Sequence, residues 1–358
     1  MNISQTLYSG AQGWGKLQDI ILEYSKSGIY LLVDENTNKF CLPDLRQKCL
    51  GLENALVIEV PGSESNKTIA SIEKIWEQLV EGSAVRNSLM ICLGGGVITD
   101  IGGFAASTYK RGMNFIHIPT TLLAMVDAAL GGKTGVNLNA IKNQVGVFAP
   151  PQAVFIFTEF LSTLPTRQIL SGYAEMLKHA MIDSDALFDR LVGLNAPEQI
   201  INEKDILESA AVKMKIVTED LDEKGIRKVL NLGHTIGHAI EAYSHKNDPD
   251  PLLHGEAIAI GLVCEAFISM HMFGMPENYL KRLVNQVTRF YPHYRLKSQS
   301  TEELLSYMTH DKKNASVSKL NFSLIRSIGQ PVYDQYPGEK LILESLHFYM
   351  NLEAGFPW

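Results

Sequence analysis

The feature that most constrains the fold is a change in sequence pattern near residue 160. Before that point, short runs rich in β-branched and aromatic residues alternate with helical patterns. Residues 67–80 show the helical spacing, with Ile69, Ile72, Ile75 and Leu79 one turn apart. Strand, helix and strand in succession predict a parallel sheet that is covered on both faces. The strand-like runs are residues 28–33, 55–60, 88–93, 114–118 and 153–157.

Beyond residue 163 the strand-like runs nearly disappear and helical patterns dominate. We therefore predict two domains, an α/β domain over residues 1–163 and a mostly α-helical domain over residues 164–358. Residues 244–253, which contain aspartates and two prolines, are predicted to form an exposed loop. The predicted helices of the second domain are residues 171–179, 206–217, 235–243, 255–273 and 279–290.

Charge and cysteine content limit the classes of function. The 358 residues carry a net charge of −7, which disfavours nucleic acid or an anionic membrane as a partner. No uninterrupted apolar run approaches the roughly 20 residues of a membrane span, and no signal sequence is recognisable. The four cysteines are scattered without a CxxC pair. We expect a cytoplasmic protein, in which any anionic substrate meets a local cluster of cations.

Glycines and hydroxyl residues at the ends of predicted strands suggest a dinucleotide site. Gly94, Gly95 and Gly96 follow a strand and precede a helix, where backbone N–H groups can approach a pyrophosphate. A tight turn is an equally good explanation of these glycines, since the GxGxxG pattern is missing. Thr120 and Thr121 follow the next strand. Asp34 follows the first one, where it could accept from ribose hydroxyls or act as a plain turn residue.

Histidines and carboxylates in the second half suggest a divalent metal site. Glu175 shares a predicted helix with Lys178, and His234 and His238 lie four residues apart on one helix face. His254 opens another helix. By spacing alone, His234 and His238 would be the metal pair, although one of them could be a polar core residue. One carboxylate with two or three imidazoles is typical of zinc.

Cations and a few polar residues accompany these motifs. Lys133 has glycines on both sides in GGKTG, which implies close backbone approach rather than a solvated helix face. Asp127 could orient a hydroxyl, pair with Lys133 or form a simple salt bridge. Any single lysine in an acidic protein could equally be a solvated surface residue. The other candidates are Lys142, Asn143, Lys213, Arg227, Asn231, Lys312, Lys313 and Asn314.

Together these segments resemble the 3-dehydroquinate synthase family of sugar-phosphate cyclases, which share their plan with metal-containing alcohol and glycerol dehydrogenases. The resemblance is dense over residues 93–254. It rests on the stretches GGGVITDIGGFAASTYKRG, IPTTLLAMVDAALGGKTGVN, KNQVGVF, LPTR, SGYAEMLKHA, RKVLNLGHTIGHAIE and HGEA. Modest departures are an extra serine before Glu64, Thr99 in place of a frequent glycine, and Leu232.

The resemblance implies a role for each matching residue. Glu175, His234 and His254 would be the metal ligands, which moves His238 to the substrate side near the phosphate. Asp127, Lys178 and Asn231 would hold substrate hydroxyls or activated water, and Lys133, Lys213 and Arg227 would face the carboxylate and phosphate. Asn143 and one of Lys312 or Lys313 would contact phosphate. NAD contacts would be Asp34, Asn36, Glu64, Lys67, Gly95, Gly96, Asp100, Thr120, Thr121, Lys142, Phe160 and Thr163.

The implied activity is a lyase reaction of the shikimate pathway, which leads to chorismate and the aromatic amino acids. A phosphorylated seven-carbon sugar acid, 3-deoxy-D-arabino-heptulosonate 7-phosphate, would become 3-dehydroquinate. The active site is expected in the cleft between an NAD-binding first domain and a metal- and substrate-binding second domain, with Zn²⁺ or alternatively Co²⁺. Arg111 matches an arginine that reaches the neighbouring subunit's site, which implies a homodimer.

Three other interpretations remain open at this point. A sibling sugar-phosphate cyclase would act on a substrate without a carboxylate, but Asn231, His238 and the complete GGKTGVN stretch favour the carboxylate-bearing substrate. A metal-dependent polyol dehydrogenase would release NADH and need fewer cations. A non-catalytic NAD-binding protein would be expected to lack one of the acidic, histidine or lysine positions.

Overall fold

The structure is a computed structural model that describes residues 6–138, 141–296, 300–309 and 320–354. The chain divides into two compact units, Met1–Pro165 with Lys213–Leu221, and Thr166–Val212 with Asp222–Trp358. The strands are β1 Thr6–Ser9, β2 Ile29–Val33, β3 Leu56–Glu59, β4 Leu89–Gly94, β5 Asn114–Pro119, β6 Lys133–Leu138, β7 Ile141–Phe148, β8 Ala153–Ile156, β9 Phe322–Ile325 and β10 Pro331–Gln335.

The helices alternate with strands in the first half and follow one another in the second. They are α1 Gly10–Tyr24, α2 Glu35–Phe40, α3 Leu42–Lys48, α4 Ile69–Glu81, α5 Gly96–Thr108, α6 Thr166–Asp183, α7 Asp185–Leu191, α8 Glu203–Glu219, α9 His234–Asn247, α10 His254–Phe273, α11 Glu277–Phe290, α12 Thr301–Thr309 and α13 Glu339–Met350. The predicted α/β and mostly helical halves are confirmed.

The first unit is built on a six-stranded parallel sheet in the order β1-β8-β5-β4-β2-β3. The five predicted strands are all present in it, and β1 adds a sixth at the edge. Strands β2 and β4 are buried along their whole length, which explains why their sequences are continuous apolar runs rather than alternating ones. Because all six strands are parallel, their carboxyl ends lie at one edge of the sheet, where ligands bind in open α/β sheets.

Helices α4 and α5 cover this sheet with apolar side chains. Ile72, Ile75 and Leu79 of α4 are fully buried, as their helical spacing predicts. Each such aliphatic side chain stabilises the fold by roughly 1.5–3 kcal/mol relative to an exposed position. A Cβ on Gly102 of α5 would lie 2.4 Å from Cys92 Sγ, so glycine there lets α5 lie directly on the sheet.

An antiparallel hairpin, β6 and β7, was not predicted from the sequence. Lys133 pairs with Phe148 and Val136 with Val145 across the two strands. The Gly-Gly before Lys133 has positive φ at both residues, +88° and +66°, and a Cβ on Gly132 would lie 2.8 Å from Pro150 N. The glycines therefore permit the close backbone approach that the sequence indicated, here at the start of a strand.

The second unit is mostly helical, with one small hairpin formed by β9 and β10. Helix α10 packs closely on α6 and α9 through glycines. A Cβ on Gly255 would lie 1.9 Å from Ser171 O, and one on Gly261 would lie 1.9 Å from Gly233 O. Residues 244–247, predicted as loop, continue α9 instead, and the helix ends just before Pro249, which cannot extend it.

Helix α10 has the length and apolar composition of a membrane span. In this structure 72% of its most apolar window is buried within the protein, as in the core helix of a globular domain. Length and composition alone do not distinguish a membrane span from a buried core helix. The burial of α10 favours the core helix.

Candidate functional site

The glycine triplet joins β4 to α5 at the carboxyl edge of the parallel sheet. Gly95 is the N-cap of α5, and a Cβ there would lie 3.0 Å from Thr121 Cγ2. Thr120 follows β5, the neighbour of β4, and its N–H donates to Gly94 O over 3.0 Å. The structure thus brings the predicted glycines and threonines together beside a helix N-terminus, a geometry that accommodates a pyrophosphate.

A buried lysine interacts with three other candidate residues. Lys67 Nζ donates to Asp100 Oδ2 and to Asn143 Oδ1, each over 2.5 Å. Burial lowers the pKa of Lys67, but the carboxylates of Asp100 and Glu64 outweigh burial and hold that pKa above its ordinary value. The side chain of Asn137 donates to Glu64 Oε1 over 2.8 Å and accepts from Asn143 N over 2.8 Å. Asn137 was not singled out from the sequence.

The remaining dinucleotide candidates are distributed along the first unit. Asp34 caps α2, its Oδ1 accepting from Asn36 N and Thr37 N. Burial raises its pKa more than these hydrogen bonds lower it. Phe160 is buried against Trp14 and Phe157 in the turn Thr158–Thr163, which also contains Thr163. Lys142, Asn36 and Thr163 are exposed.

Asp127 lies in a single π-helical turn, Ala124–Ala128, of the kind often found at functional sites. Lys213 is buried, and its Nζ contacts Asp127 Oδ1 at 2.8 Å and donates to Asp127 O over 2.7 Å. Lys133 and Arg111 are exposed, and Arg111 has a φ of +65°. The structure therefore pairs two predicted substrate residues, Asp127 and Lys213, within the first unit.

The three predicted metal ligands converge in the second unit, although the sequence separates them by up to 79 positions. His234 Nε2 and His254 Nε2 lie 3.6 and 3.3 Å from the same oxygen, Glu175 Oε1. Two ligand atoms each about 2.0–2.1 Å from a tetrahedral ion would be roughly 3.3 Å apart. The donor set and its spacing therefore fit a divalent metal such as zinc.

Hydrogen bonds to the far nitrogens orient both imidazoles. His234 Nδ1 lies 3.0 Å from Leu232 O, and a carbonyl can only accept, so Nδ1 carries the proton and Nε2 is left as a donor atom for a metal. His254 Nδ1 likewise lies 3.3 Å from an acceptor, Glu241 Oε2, which orients the second ring. Burial lowers the pKa of His254, but Glu241 and Glu175 outweigh it and raise this pKa to about 10. The site thus attracts positive charge.

His238 lies beside the three predicted ligands. Its ring centroid is 5.1 Å from that of His234 and 5.7 Å from that of His254. One donor atom from each of these three histidines lies within 4.8 Å of the others. The i, i+4 spacing therefore identified neighbours correctly, but it could not reveal Glu175 or His254, which come from other helices.

Three further candidates also lie in the second unit, and one of them contacts this group. Lys178 is buried and forms an ion pair with Glu175, one turn earlier on α6. Arg227 is buried with 1% of its surface exposed, in the turn Ile226–Asn231. Asn231 donates to Glu223 Oε1 over 2.9 Å. Lys312, Lys313 and Asn314 lie outside the described residues.

A salt-bridge network that the sequence did not reveal holds the segment before His254. Arg167 donates to both carboxylate oxygens of Glu256, over 2.7 and 2.8 Å, and to Asp250 Oδ1 and Pro251 O. Glu256 in turn accepts from Leu253 N over 2.7 Å, which fixes the first turn of α10. Arg167 belongs to the LPTR stretch, so its position in that motif was the available signal.

Comparisons with known proteins agree along most of the chain. Residues 57–171 match the family model described as 3-dehydroquinate synthase N-terminal, and residues 172–314 match the one described as 3-dehydroquinate synthase C-terminal. A 3-dehydroquinate synthase of Parabacteroides distasonis is 42% identical over 336 residues, covering 93% of this chain and 94% of that protein. One from Pyrococcus abyssi is 43% identical over 81% of this chain and 84% of the relative.

Solved structures show the same fold. A 2-deoxy-scyllo-inosose synthase complexed with carbaglucose-6-phosphate, NAD⁺ and Co²⁺ has a TM-score of 0.80 at 26% identity, covering 96% of each chain. A 2-epi-5-epi-valiolone synthase from Streptomyces hygroscopicus with NAD⁺ and Zn²⁺ bound has a TM-score of 0.84 at 24% identity, covering 98% of each chain. A probable glycerol dehydrogenase from Sinorhizobium meliloti reaches 0.65 at 12% identity, covering 99% of this chain and 98% of that one.

Proposed function

We propose that this chain, which belongs to the 3-dehydroquinate synthase family, converts 3-deoxy-D-arabino-heptulosonate 7-phosphate into 3-dehydroquinate and phosphate. The reaction is a carbon–oxygen lyase reaction of the shikimate pathway. It combines transient oxidation, phosphate elimination, re-reduction, ring opening and an intramolecular aldol closure. The single observation that carries the proposal is the convergence of His234 and His254 on one oxygen of Glu175.

The two predicted domains would divide the binding of cofactor, metal and substrate. Residues 1–163 would bind NAD through the glycine triplet and through Lys67 with its neighbours Glu64 and Asp100. Residues 164–358 would bind the metal and much of the substrate. Zn²⁺ is the metal that the donor set favours, and Co²⁺ is the alternative. When bound, NAD⁺ would supply a reversible hydride acceptor and the metal would lower the pKa of adjacent substrate hydroxyls.

The chain's own residues would position charge around the substrate. Lys178, which is ion-paired with Glu175, would hold a substrate hydroxyl next to the metal ligands. Asp127 would accept a hydrogen bond from a substrate hydroxyl or water while Lys213 keeps its carboxylate oriented. The roles proposed for the other residues are anion binding by Lys133 and Arg227, hydroxyl binding by Asn231, and phosphate contacts by His238, Asn143 and one of Lys312 or Lys313.

A cluster of cations is what a substrate with a carboxylate and a phosphate requires in a chain of net charge −7. The phosphate itself would serve as the base for its own elimination. Side chains that exclude water would then protect the reactive enol intermediates. We further propose a cytoplasmic homodimer in which Arg111, exposed in each chain, reaches the site of the other subunit.

Two other activities have a specific observation behind them. A sibling sugar-phosphate cyclase is suggested by the high TM-score to 2-deoxy-scyllo-inosose synthase, but the identity of 26% is well below the 42% to a 3-dehydroquinate synthase. A polyol dehydrogenase shares the fold at 12% identity. Such a dehydrogenase would release NADH rather than phosphate.

One assay separates these activities. Purified protein is incubated with the heptulosonate phosphate, catalytic NAD⁺ and Zn²⁺, while phosphate release and absorbance of NADH are followed together. Stoichiometric phosphate without lasting NADH supports the lyase. Accumulating NADH indicates a dehydrogenase, and turnover of a carboxylate-free sugar phosphate in preference indicates a sibling cyclase.

The metal ligands are tested separately from turnover. Glu175→Gln and His254→Ala are expected to lose bound zinc and activity together, because each removes one of three converging donors. Glu208→Gln is the matched control, since Glu208 of α8 pairs with Arg190 of α7 rather than with the imidazoles. Zinc content measured by atomic absorption decides the point, and wild-type zinc content in both ligand variants would refute the ligand set.

A further inference from the structure

Helix α10 carries a buried carboxylate that none of the candidate roles uses. Glu265 lies near the middle of α10 and has none of its surface exposed. An ionised carboxylate in such a place is costly unless hydrogen bonds compensate for lost hydration. Its contacts therefore indicate what the side chain does.

Both oxygens of Glu265 accept backbone hydrogen bonds from the first turn of α9. Gly233 N donates to Oε2 over 2.6 Å, and Ile236 N donates to Oε1 over 3.2 Å. Gly233 is the N-cap of α9, with a φ of +80°, and glycine has no side chain to accept from the free N–H groups at a helix start. Glu265 thus caps α9 from the neighbouring helix, where the positive end of the helix dipole also favours a carboxylate.

The capped turn is the one that contains a predicted metal ligand. His234 is the first residue of α9 and lies between Gly233 and Ile236, the two residues that Glu265 holds. Gly261, one turn before Glu265 on the same helix, packs directly against Gly233 O and Gly237 N. The backbone of His234 is therefore fixed from α10 on both sides.

The other imidazole is fixed in the opposite direction. His254 is the first residue of α10, and its Nδ1 contacts Glu241 of α9. Each helix therefore carries one of the two predicted imidazole ligands, together with a buried carboxylate that contacts the start of the other helix. In this arrangement a small shift of α10 relative to α9 moves both candidate ligands at once.

We propose that Glu265 is a positioning residue that sets the geometry of the metal site by holding the N-terminus of α9 under His234. The proposal rests on the proposed function, because it takes Glu175, His234 and His254 as the metal ligands. We assign Glu265 no contact with the metal or the substrate. It acts through the backbone of His234.

The test compares Glu265→Gln with Cys264→Ala. The amide keeps the shape of Glu265 but replaces one acceptor by an NH₂ group, which cannot accept from either N–H. We expect zinc affinity, measured by chelator competition, to fall about 10-fold or more, the range found when groups supporting metal ligands are removed. Cobalt-substituted protein should also show an altered visible absorption spectrum, because the ligand geometry changes.

Cys264 is the matched control because it is the next residue on α10, is equally buried, and faces Ser345 of α13. Its replacement by alanine should leave zinc affinity within about 3-fold of the wild-type value and the cobalt spectrum unchanged, because Cys264 donates to Ser345 O rather than to the helix turn that carries His234. A folded Glu265→Gln protein with wild-type zinc affinity and cobalt spectrum would overturn the proposal.

A measurement on the unaltered protein covers the case in which Glu265→Gln does not fold. If Glu265 holds α9, the amide protons of Gly233 and Ile236 are protected from hydrogen exchange in zinc-free as well as zinc-loaded protein. Fast exchange at both amides without zinc would show that the metal, not Glu265, orders this turn. Failure of the wild-type protein to bind zinc at all would instead count against the ligand set in the proposed function.

Discussion

Replacing Gly261 by alanine tests how tightly α9 and α10 must pack. The new Cβ would lie 1.9 Å from Gly233 O and 2.8 Å from Gly237 N, whereas Cβ atoms essentially never come within 3.0 Å of another heavy atom. Both obstacles are backbone atoms, so one helix must move by about 1 Å. Overpacking of this kind costs about 3 kcal/mol, the upper end of the usual range.

Part of this cost is offset, because alanine is preferred over glycine inside a helix by about 1 kcal/mol. The free energy of unfolding should therefore fall by about 2 kcal/mol. For a unit of this size that corresponds to a Tm lower by roughly 4–8 °C. Because His234 and His254 lie on the two displaced helices, zinc affinity should fall as well.

The assay is thermal unfolding followed by circular dichroism in excess chelator, with zinc affinity measured separately. Gly15→Ala is the matched control, since nothing lies within 4 Å of a Cβ at this position of α1. That substitution should leave Tm unchanged or raise it slightly. A Gly261→Ala protein as stable as the wild type, with unchanged zinc affinity, would refute the reasoning about helix contact.

Three other substitutions test separate parts of the structure. Lys67→Met should raise the Kd for NAD⁺ about 10-fold or more in titration calorimetry, because Asp100 loses its buried partner. Lys48→Met is the control, because it removes the exposed ion pair between Lys48 and Glu159. An unchanged Kd in both variants would contradict the proposed NAD site. Arg167→Ala should speed amide exchange over residues 248–253 and weaken zinc binding several-fold. Arg167→Lys should restore little, since lysine lacks the two-pronged geometry, and full rescue would argue against the network. Burial raises the pKa of Asp334, but the hydrogen bonds from Lys228 and Asn321 lower it by more, so this pKa lies below its ordinary value. The ionised Asp334 therefore stabilises the fold above about pH 4, and this stabilisation is lost as the pH falls through the folded-state pKa. Asp334→Asn should flatten the decline of Tm between pH 5 and pH 2. An unchanged decline would contradict the lowered pKa.

The inner strands of the parallel sheet, β2, β4, β5 and β8, were predictable because they are buried along nearly their whole length. Residues 89–93, for example, are a continuous apolar segment, and Gly94 follows it directly. The β6–β7 hairpin was not predictable in the same way. Its strands contain lysine, asparagine and glycine, and the exposed Val147 and Phe148 break the alternation that identifies a half-buried strand.

The candidate site was only partly accessible from spacing. Periodicity places His234 next to His238, but nothing local connects either of them to Glu175 on α6 or His254 on α10. Family resemblance supplied these long-range neighbours, and the structure brings them within 3.6 Å. Glu241 and Glu265 were missed because a glutamate within a helix ordinarily indicates a solvated face, and only the three-dimensional packing shows that these two are buried.

The acidic residue in the middle of α10 also bears on how this helix is sorted during synthesis. Twenty largely apolar residues would otherwise be a good substrate for insertion into a lipid bilayer. A carboxylate near the centre of the span opposes insertion by about 3 kcal/mol on the translocon scale. In the folded protein the same group is buried and accepts hydrogen bonds from the first turn of α9. Glu265 therefore both holds the helix pair together and raises the cost of inserting this otherwise apolar segment into a bilayer.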